Sequence, residues 1–316
     1  MKEHPEVICI GEAIVDFVST TSGVRLKDVP EFGKMAGGAS ANVAVGIARL
    51  GTRAAFVGSV GDDPFGHFLT GQLQRANVDI SGVSFDPRRK TRLAFVSLTA
   101  SGDRDFEFWE NNPADEHLEV TGRLLNTLKA ATIVHISSFM LLKEPARSTI
   151  FRITGALKRA ATLVSFDPNL RMSLWKSPAE ARRILRMIVK HASILRLNEL
   201  EAAFLTGKKT VAESARALRA EGPVLVVITR GARGCYFQTE GDSGSLPGFK
   251  VRAVDTTGCG DAFLAGLLHG LVERTGNLSS ICRFANAVGA LTALHRGAMA
   301  ALPTRRQVER FMNERP

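Results

Sequence analysis

The sequence predicts an α/β fold: a three-layer structure in which helices cover both faces of a mostly parallel sheet, and a small β-sheet projects from it. Two observations support this prediction. Short, nearly continuous apolar runs alternate with helical patterns, which is typical of strands that are buried on both faces of a parallel sheet. One stretch instead alternates apolar and polar residues on either side of a turn, which indicates an antiparallel hairpin.

The main sheet is predicted from runs rich in Val and Ile, and most of the segments between them have apolar residues at helical spacing. Strands are predicted at 7–11, 54–60, 131–138, 161–167, 192–198 and 224–229, and helices include 40–51, 65–77 and 177–191. The sequence contains no internal repeat and no low-complexity linker. We therefore expect a single domain over residues 1–316.

The projecting sheet is predicted from two segments. Residues 93–110 contain two alternating strands around the turn ASGD, and residues 13–26 are a candidate for a similar strand pair. A small sheet near the ends of the main strands can cover a site. We expect lid segments at about 13–35 and 84–112.

Composition and charge exclude several classes of function. The 316-residue chain has a net charge of +10, with basic clusters at 86–92, 181–191 and 304–310. The second and third clusters carry apolar residues on the opposite helix face, and no zinc-finger or RNP-type motif accompanies them, so we expect no nucleic-acid partner. No apolar run is long enough to span a membrane and the N-terminus has no signal-peptide pattern, so we expect a cytoplasmic protein without a membrane partner. The four cysteines are far apart, which argues against a disulfide framework or a zinc site.

Two stretches have only a partial match to nucleotide-binding motifs. The segment TGKKT at 206–210 would need glycine at 202 and Ser or Thr at 209 to be a P-loop, but these positions hold Ala202 and Lys209. The segment GCGDAF would need a third glycine where Phe263 stands to match a dinucleotide fingerprint. Both motifs are excluded.

The segment DTTGCGD at 255–261 places two glycines directly before an apolar helical run. Gly258 and Gly260 would let backbone N–H groups converge at a helix start, where they can bind an anion. Asp261 is then either an N-cap or a base that accepts a proton from an attacking hydroxyl. Cys259 lies beside the same donors and is either a reactive thiol or a small space-filling side chain.

A second glycine-rich helix start occurs near the N-terminus. Gly37 and Gly38 precede Ser40 and Asn42, and this arrangement forms either a tight turn with a Ser cap or a ligand contact. Asp16 follows the first strand, where α/β proteins bind ligands beyond the carboxyl ends of their strands. Its carboxylate could accept two hydrogen bonds from the vicinal hydroxyls of a sugar.

Three stretches together resemble the ribokinase-like (PfkB) family of sugar kinases. AGGASANVAVGIARLG at 36–51 resembles its N-terminal signature, and VDTTGCGDAFLAGLL at 254–268 its C-terminal one. LNELEAAFLTG at 197–207 resembles its Asn-x-x-Glu motif. The order and spacing match over essentially the whole chain, and the resemblance implies an ATP-dependent kinase that acts on a sugar hydroxyl.

The resemblance also implies roles for individual residues. Asp261 would be the base, and the amides of Gly258, Cys259 and Gly260 would form the anion hole. The sugar site would include Asp16, Gly37, Gly38, Asn42 and Phe108, and ATP would be bound by Thr229, Gly231, Gly234 and Asn286. Mg²⁺ would be organised through water by Asn198 and Glu201, and K⁺ would be bound by Asp255, Thr257 and Gly297. Asn198 could instead be a helix cap and Asn286 a buried amide. Ala301 stands where some relatives have a side-chain oxygen, so the K⁺ requirement is open.

Within the family, the segment SFDPNLRMSLWKSPAEA at 165–181 is most similar to fructokinases, and Arg171 would approach the phosphates or the sugar. Fructose would then be phosphorylated to fructose 6-phosphate. Glu110 stands where related kinases commonly carry Arg, which would disfavour an acidic sugar such as 2-keto-3-deoxygluconate. Ribose, a nucleoside, a keto-deoxy sugar and a non-catalytic sugar-binding role are the alternatives. The expected partners are a sugar and ATP, with a homodimer through the lid as a further expectation.

Overall fold

The computed structural model describes residues 5–21, 23–98, 104–109 and 111–315. Its strands are β1 Val7–Ile10, β2 Ile14–Ser19, β3 Phe32–Gly37, β4 Ala54–Gly61, β5 Asp79–Asp86, β6 Leu93–Leu98, β7 Arg104–Phe108, β8 Ile133–Ser137, β9 Leu163–Asp167, β10 Ile194–Asn198, β11 Leu225–Thr229, β12 Cys235–Gln238 and β13 Ser243–Leu246. Its α-helices are α1 Ala39–Leu50, α2 Pro64–Arg75, α3 Gly122–Ala130, α4 Ala146–Leu157, α5 Pro178–Val189, α6 Glu199–Thr206, α7 Val211–Arg219, α8 Cys259–Glu273, α9 Leu278–Thr292, α10 Ala298–Ala301 and α11 Arg305–Asn313.

Nine strands form the main sheet in the order β13-β12-β11-β10-β9-β8-β1-β4-β5. From β11 to β5 every neighbouring pair is parallel, whereas β12 and β13 form an antiparallel extension at one edge. The predicted mostly parallel sheet and its six strands are therefore confirmed. The edge strands β5 and β13 were not predicted, because half-exposed strands have no continuous apolar run.

Each face of the main sheet has its own hydrophobic core. Val7 and Cys9 of β1 pack with α1, α2, α8, α9 and α11 on one face. Ile8 and Ile10 pack with helices that include α4, α5, α6 and α7 on the other. Alternate residues of one strand thus fill different cores, which explains why the strand is apolar throughout.

The lid is a separate four-stranded sheet in the order β3-β2-β6-β7. The antiparallel pairing of β6 with β7 confirms the predicted hairpin, although its turn lies outside the described residues. The prediction of a strand pair within 13–26 is wrong in its second strand. The chain forms a 3₁₀ turn at Leu26–Asp28, and the antiparallel partner of β2 is β3, which runs directly into Gly37 and the start of α1.

The basic clusters at 181–191 and 304–310 lie on helices with one apolar face, as predicted. The arginines of α5 and α11 point to solvent while Ile184 and Phe311 are buried. Within the described ranges no helix is both long and apolar enough to cross a bilayer.

Candidate active site

The glycine turn at 258–260, called the anion turn below, begins α8. Gly258 is the N-cap residue with φ +76°, and a Cβ at this position would lie 2.8 Å from the Cβ of Ala298, so both the backbone conformation and the packing require glycine. No side chain caps the helix. The first N–H groups of a helix have no intrahelical partners and can bind an anion, although in this turn the Cys259 amide also donates to the carbonyl of Thr256 at 3.3 Å.

Asp261 is the third residue of α8 and does not cap it, so the N-cap interpretation of Asp261 is wrong. Its Oδ2 instead accepts a hydrogen bond of 2.9 Å from Nδ2 of Asn42 on α1. Burial raises the pKa of Asp261 to about 7, and Asp167 adds to this effect, whereas Asn42, Arg196 and Arg171 oppose it. A carboxyl group that titrates near neutral pH is suited to act as a general base.

The start of α1 brings the predicted sugar-side residues together. A Cβ on Gly37 would lie 2.1 Å from Oδ2 of Asp16, so the carboxylate packs directly against that glycine. Gly38 has φ +103° and is the N-cap of α1. The Ser-cap interpretation is wrong, because the Ser40 hydroxyl donates to the carbonyl of Ile10 at 3.0 Å. Within the described residues, Oδ1 of Asn42 is buried without a hydrogen-bond partner, as an acceptor that awaits a ligand hydroxyl would be.

Glu12, to which the sequence assigned no role, holds α1 in position. Its Oε1 accepts from the amide of Ala39 at 2.6 Å and its Oε2 from the hydroxyl of Ser137 at 3.0 Å. Burial raises the pKa of Glu12 to about 7 despite these bonds. The feature of the sequence that could have indicated this role is the position of Glu12 just after the buried strand β1.

A buried charge cluster at the ends of β9, β10 and β11 was also missed. The Arg196 guanidinium donates to Oδ2 of Asp167 at 2.8 Å and to the hydroxyl of Thr229 at 2.7 Å. The available signal was an arginine inside an otherwise apolar strand run. Thr229, predicted for the nucleotide, therefore lies at the sheet end with its hydroxyl bonded to Arg196.

Asn198 and Glu201 form a capping box at the start of α6. Oδ1 of Asn198 accepts from the amide of Glu201 at 2.9 Å, and Oε2 of Glu201 accepts from the amide of Asn198 at 2.8 Å. Oε1 of Glu201 also accepts from the amide of Leu170 at 2.7 Å. The helix-cap interpretation of Asn198 is therefore confirmed, and burial together with Asp167 raises the pKa of Glu201.

The predicted nucleotide residues Gly231, Gly234 and Asn286 lie around the β12–β13 hairpin. Gly231 and Gly234 have φ +56° and +86°, and a Cβ on Gly234 would lie 2.0 Å from the carbonyl oxygen of Leu246. The buried Asn286 amide donates to the carbonyl of Pro247 at 3.2 Å. The buried-amide interpretation of Asn286 thus holds.

Asp255 joins the three residues predicted for a monovalent cation. Its Oδ1 accepts from the amide of Thr257 at 2.9 Å, and its Oδ2 accepts from the amide of Gly297 at 3.0 Å. In the part of the chain that the structure describes, no three His, Cys, Asp or Glu side chains are grouped to hold a metal ion. The family resemblance implies that a monovalent cation here would be bound by backbone oxygens, and that assignment stays a prediction.

The remaining predicted residues are Phe108, Arg171, Cys259 and Glu110. Phe108 of β7 packs edge-on against Phe139, with ring centroids 5.7 Å apart. Arg171 is exposed, but its charge reaches Asp261. The half-buried Cys259 thiol lies 3.9 Å from the carbonyl oxygen of Asp255, and its reactivity stays a prediction. Glu110 lies outside the described residues.

A mostly parallel sheet with a lid, and a buried carboxylate beside a glycine helix start, fit the ATP-dependent sugar kinase that the sequence motifs predict. The pfkB family carbohydrate kinase model matches residues 4–305, so the chain belongs to this family, as the sequence motifs predicted.

The chain is also similar to individual kinases over nearly its whole length. It is 44% identical over 305 residues to probable fructokinase-2 of Arabidopsis thaliana, covering 94% of this chain and 93% of that protein. The crystal structure of fructokinase from Vibrio cholerae with fructose, ADP and calcium has a TM-score of 0.85 and 34% identity, covering 97% of this chain and 98% of that one. A double mutant of that enzyme with fructose, ADP and potassium has a TM-score of 0.86 and 34% identity over 98% and 99%.

Proposed function

We propose that this kinase is a fructokinase, which transfers the γ-phosphate of ATP to the 6-hydroxyl of D-fructose. The similarity to fructokinases, one of them crystallised with fructose, supports this substrate. The observation that supports the chemistry is the buried Asp261, which directly follows the anion turn in α8, has a pKa raised to about 7 and accepts a hydrogen bond from Asn42. The Asp16 carboxylate and the unpartnered Oδ1 of Asn42 supply the acceptors that a neutral polyol needs.

In the proposed reaction the fructose 6-hydroxyl lies between Asp261 and the γ-phosphorus. The hydroxyl oxygen forms a bond to phosphorus, its proton passes to the Asp261 carboxylate, and the bond to the bridging oxygen breaks to release ADP. The N–H groups of the anion turn and the positive end of α8 stabilise the charge on the transferred phosphoryl oxygens. Arg171 adds a positive charge on the open side of the site.

We assign the loop with Gly231 and Gly234 to the phosphates or ribose of the nucleotide, and Asn286 to the vicinity of adenine. Thr229, at the end of β11 directly before this loop, is assigned to the same nucleotide site. The relatives' bound ADP supports a nucleotide in this fold. Asn198 and Glu201 fit Mg²⁺ only through water, because both Glu201 oxygens already accept backbone N–H groups. When bound, Mg²⁺ neutralises the negative charge of the β- and γ-phosphates.

A monovalent cation is proposed at the loop that Asp255 organises, together with Thr257 and Gly297. The potassium ion in the related double mutant supports this assignment. The Asp255 carboxylate supplies compensating negative charge, although its oxygens also bind the amides of Thr257 and Gly297. Replacing K⁺ by Na⁺ at constant ionic strength should lower kcat, whereas equal rates in both salts would contradict this site.

A homodimer through the lid is a further part of the proposal. The lid carries an aromatic cluster in which Phe95 stacks on Phe17 and contacts Phe32 and Trp109 edge-on. Trp109 is 69% exposed, an unusual state for a large aromatic side chain in a monomer. Sedimentation velocity of the purified chain measures the oligomeric state directly, and a concentration-independent monomer would contradict the dimer.

The test is ATP consumption measured with D-fructose, D-ribose, a nucleoside and 2-keto-3-deoxygluconate. We expect the highest kcat/KM with D-fructose and a product that carries phosphate on O6, identified by NMR. A higher kcat/KM for another sugar would identify that sugar, and not fructose, as the substrate of this carbohydrate kinase. Absence of ADP release with every sugar would favour the non-catalytic alternative, and ADP release that does not depend on sugar would indicate ATP hydrolysis instead of sugar phosphorylation.

A further inference from the structure

A buried arginine lies directly behind the anion turn. Arg196 projects from β10, and a Cβ built on Gly260 would lie 2.9 Å from each of its terminal guanidinium nitrogens. Its two other contacts, Asp167 and Thr229, come from the neighbouring strands β9 and β11. The guanidinium is thus fixed by the sheet on one side and touches the start of α8 on the other.

This contact explains the glycine at 260. Gly260 is not among the glycines with positive φ, so its backbone conformation would accept any residue. A Cβ there would lie 2.9 Å from both terminal nitrogens of Arg196, so the guanidinium would have to shift away from its hydrogen-bond partners Asp167 and Thr229. The sequence motif therefore contains two glycines for different reasons, since Gly258 is required by its left-handed conformation.

The charge of Arg196 also acts on the proposed base. Among the described residues, the charged groups that act on Asp261 are Asp167, Arg196 and Arg171. Arg171 is exposed and its effect is screened by solvent, whereas Arg196 is 8% exposed. Burial opposes the charge of Arg196, but Asp167, Glu201 and Asp261 outweigh it and raise the pKa of the guanidinium, which stays protonated.

We propose that Arg196 is a positioning residue for phosphoryl transfer, which supports the anion turn through Gly260 and compensates the negative charge of the Asp261 carboxylate. The inference rests on the proposed function, because it takes Asp261 as the base of a sugar kinase. Arginine suits this position because the two terminal nitrogens of its planar guanidinium donate to Asp167 and Thr229 at the same time. The ammonium group of lysine has a single nitrogen and cannot reproduce this geometry. Arg196 acts through Gly260 and Asp261.

The charge part of the inference is tested by pH profiles of kcat/KM with ATP and fructose. We expect Arg196→Met to lower kcat by about 10–100-fold, the effect of misplacing a catalytic group, and to move the acid limb to higher pH. The double variant Asp167→Asn/Arg196→Met removes both charges and should return the limb toward that of the wild type. Arg186→Met, which breaks an exposed arginine–glutamate pair with Glu221 at 2.7 Å, is the control and should leave the profile unchanged.

An unmoved acid limb in a folded Arg196→Met protein would overturn the charge role. If that variant does not fold, Arg196→Gln, which also removes the charge, replaces it in the pH profile. Arg196→Lys tests the positioning role separately. The lysine variant keeps the charge and loses the planar guanidinium, so we expect a limb near the wild-type position with a lower kcat. A lysine variant with wild-type kcat would overturn the positioning role.

The contact part is tested by a double-mutant cycle between Gly260→Ala and Arg196→Met, read by urea unfolding and by kcat. We expect the alanine to be strongly destabilising alone and much less so in the Arg196→Met background. Strictly additive effects would overturn the contact. A wild type that phosphorylates no sugar would overturn the proposed function, while the unfolding cycle would still test the contact of Arg196 with Gly260.

Discussion

Two helix starts of this kinase carry a carboxylate at the same position and use it in opposite ways. Glu201 and Asp261 are each the third residue of their helix, α6 and α8. Glu201 closes a capping box with Asn198, so that helix start is occupied by its own side chains. Asp261 bonds Asn42 on another helix, and no side chain caps α8.

The difference shows how a helix start becomes a reaction centre. The capping box of α6 satisfies the amides of Glu201 and Asn198 and stabilises the helix, and its two side chains occupy the helix start. The N-cap residue of α8 is Gly258, which has no side chain to cap the helix. Asp261, at the position where a capping box has its acidic residue, instead accepts a hydrogen bond from Asn42. In the proposed function, amides of this turn and the helix dipole would then bind the phosphoryl group, and the Asp261 carboxylate would accept the proton of the sugar hydroxyl.

The largest effect on kcat is expected at Asp261, at the start of α8. Asp261→Asn keeps the side-chain shape but removes the base, and kcat should fall by about 10²–10⁴-fold. Fructose binding, measured by calorimetry, should persist because Asp16 and Asn42 still hold the hydroxyls. A folded Asp261→Asn protein with a kcat near that of the wild type would contradict the role of Asp261 as the base.

The pH dependence of the wild type sharpens the same distinction. A pKa of about 7 for Asp261 means that the carboxyl is protonated below that pH, so kcat/KM should fall about tenfold per pH unit there. Because the folded state holds a proton that the unfolded state loses near pH 3.8, this group makes the fold less stable as pH rises through 7. Steady-state rates from pH 5 to 8.5 are the measurement.

Glu12 titrates in the same window, because burial raises its pKa to about 7. The variant Glu12→Gln separates the two groups. If the acid limb disappears in that variant, the limb belongs to Glu12 and the assignment to Asp261 is wrong.

The smallest effect, on the free energy of unfolding, is expected at the capping box of α6. Asn198→Ala removes the side-chain oxygen that accepts the amide of Glu201, and the free energy of unfolding should fall by about 1 kcal/mol. Urea unfolding measures this loss, and Thr210→Ala at the capping box of α7, far along the chain from the anion turn, is the matched control. A loss at Asn198 that is absent at Thr210 would show that the two boxes are not equivalent caps.

The sequence alone determined the class of the fold and most of its strands, because burial on both faces leaves a continuous apolar run that needs no tertiary information. It also predicted the glycine helix start at 258–260 with Asp261 behind it, because this is a local pattern, but the pattern left Asp261 open between an N-cap and a base. Strand pairing in the lid was assigned wrongly at 13–26, because the chain forms a 3₁₀ turn at Leu26–Asp28 and the strand that pairs with β2 begins only at Phe32, beyond the predicted segment.

Only the tertiary structure decided what the polar side chains do. Asp261 is a base candidate and not a cap because Asn42, 219 positions away in the sequence, binds its carboxylate. Arg196 and Glu12 lie within or beside apolar strand runs, and their partners come from other strands and helices. Hydrogen bonds and charge compensation act through space over a few ångströms, so a linear sequence shows the groups but not which of them meet.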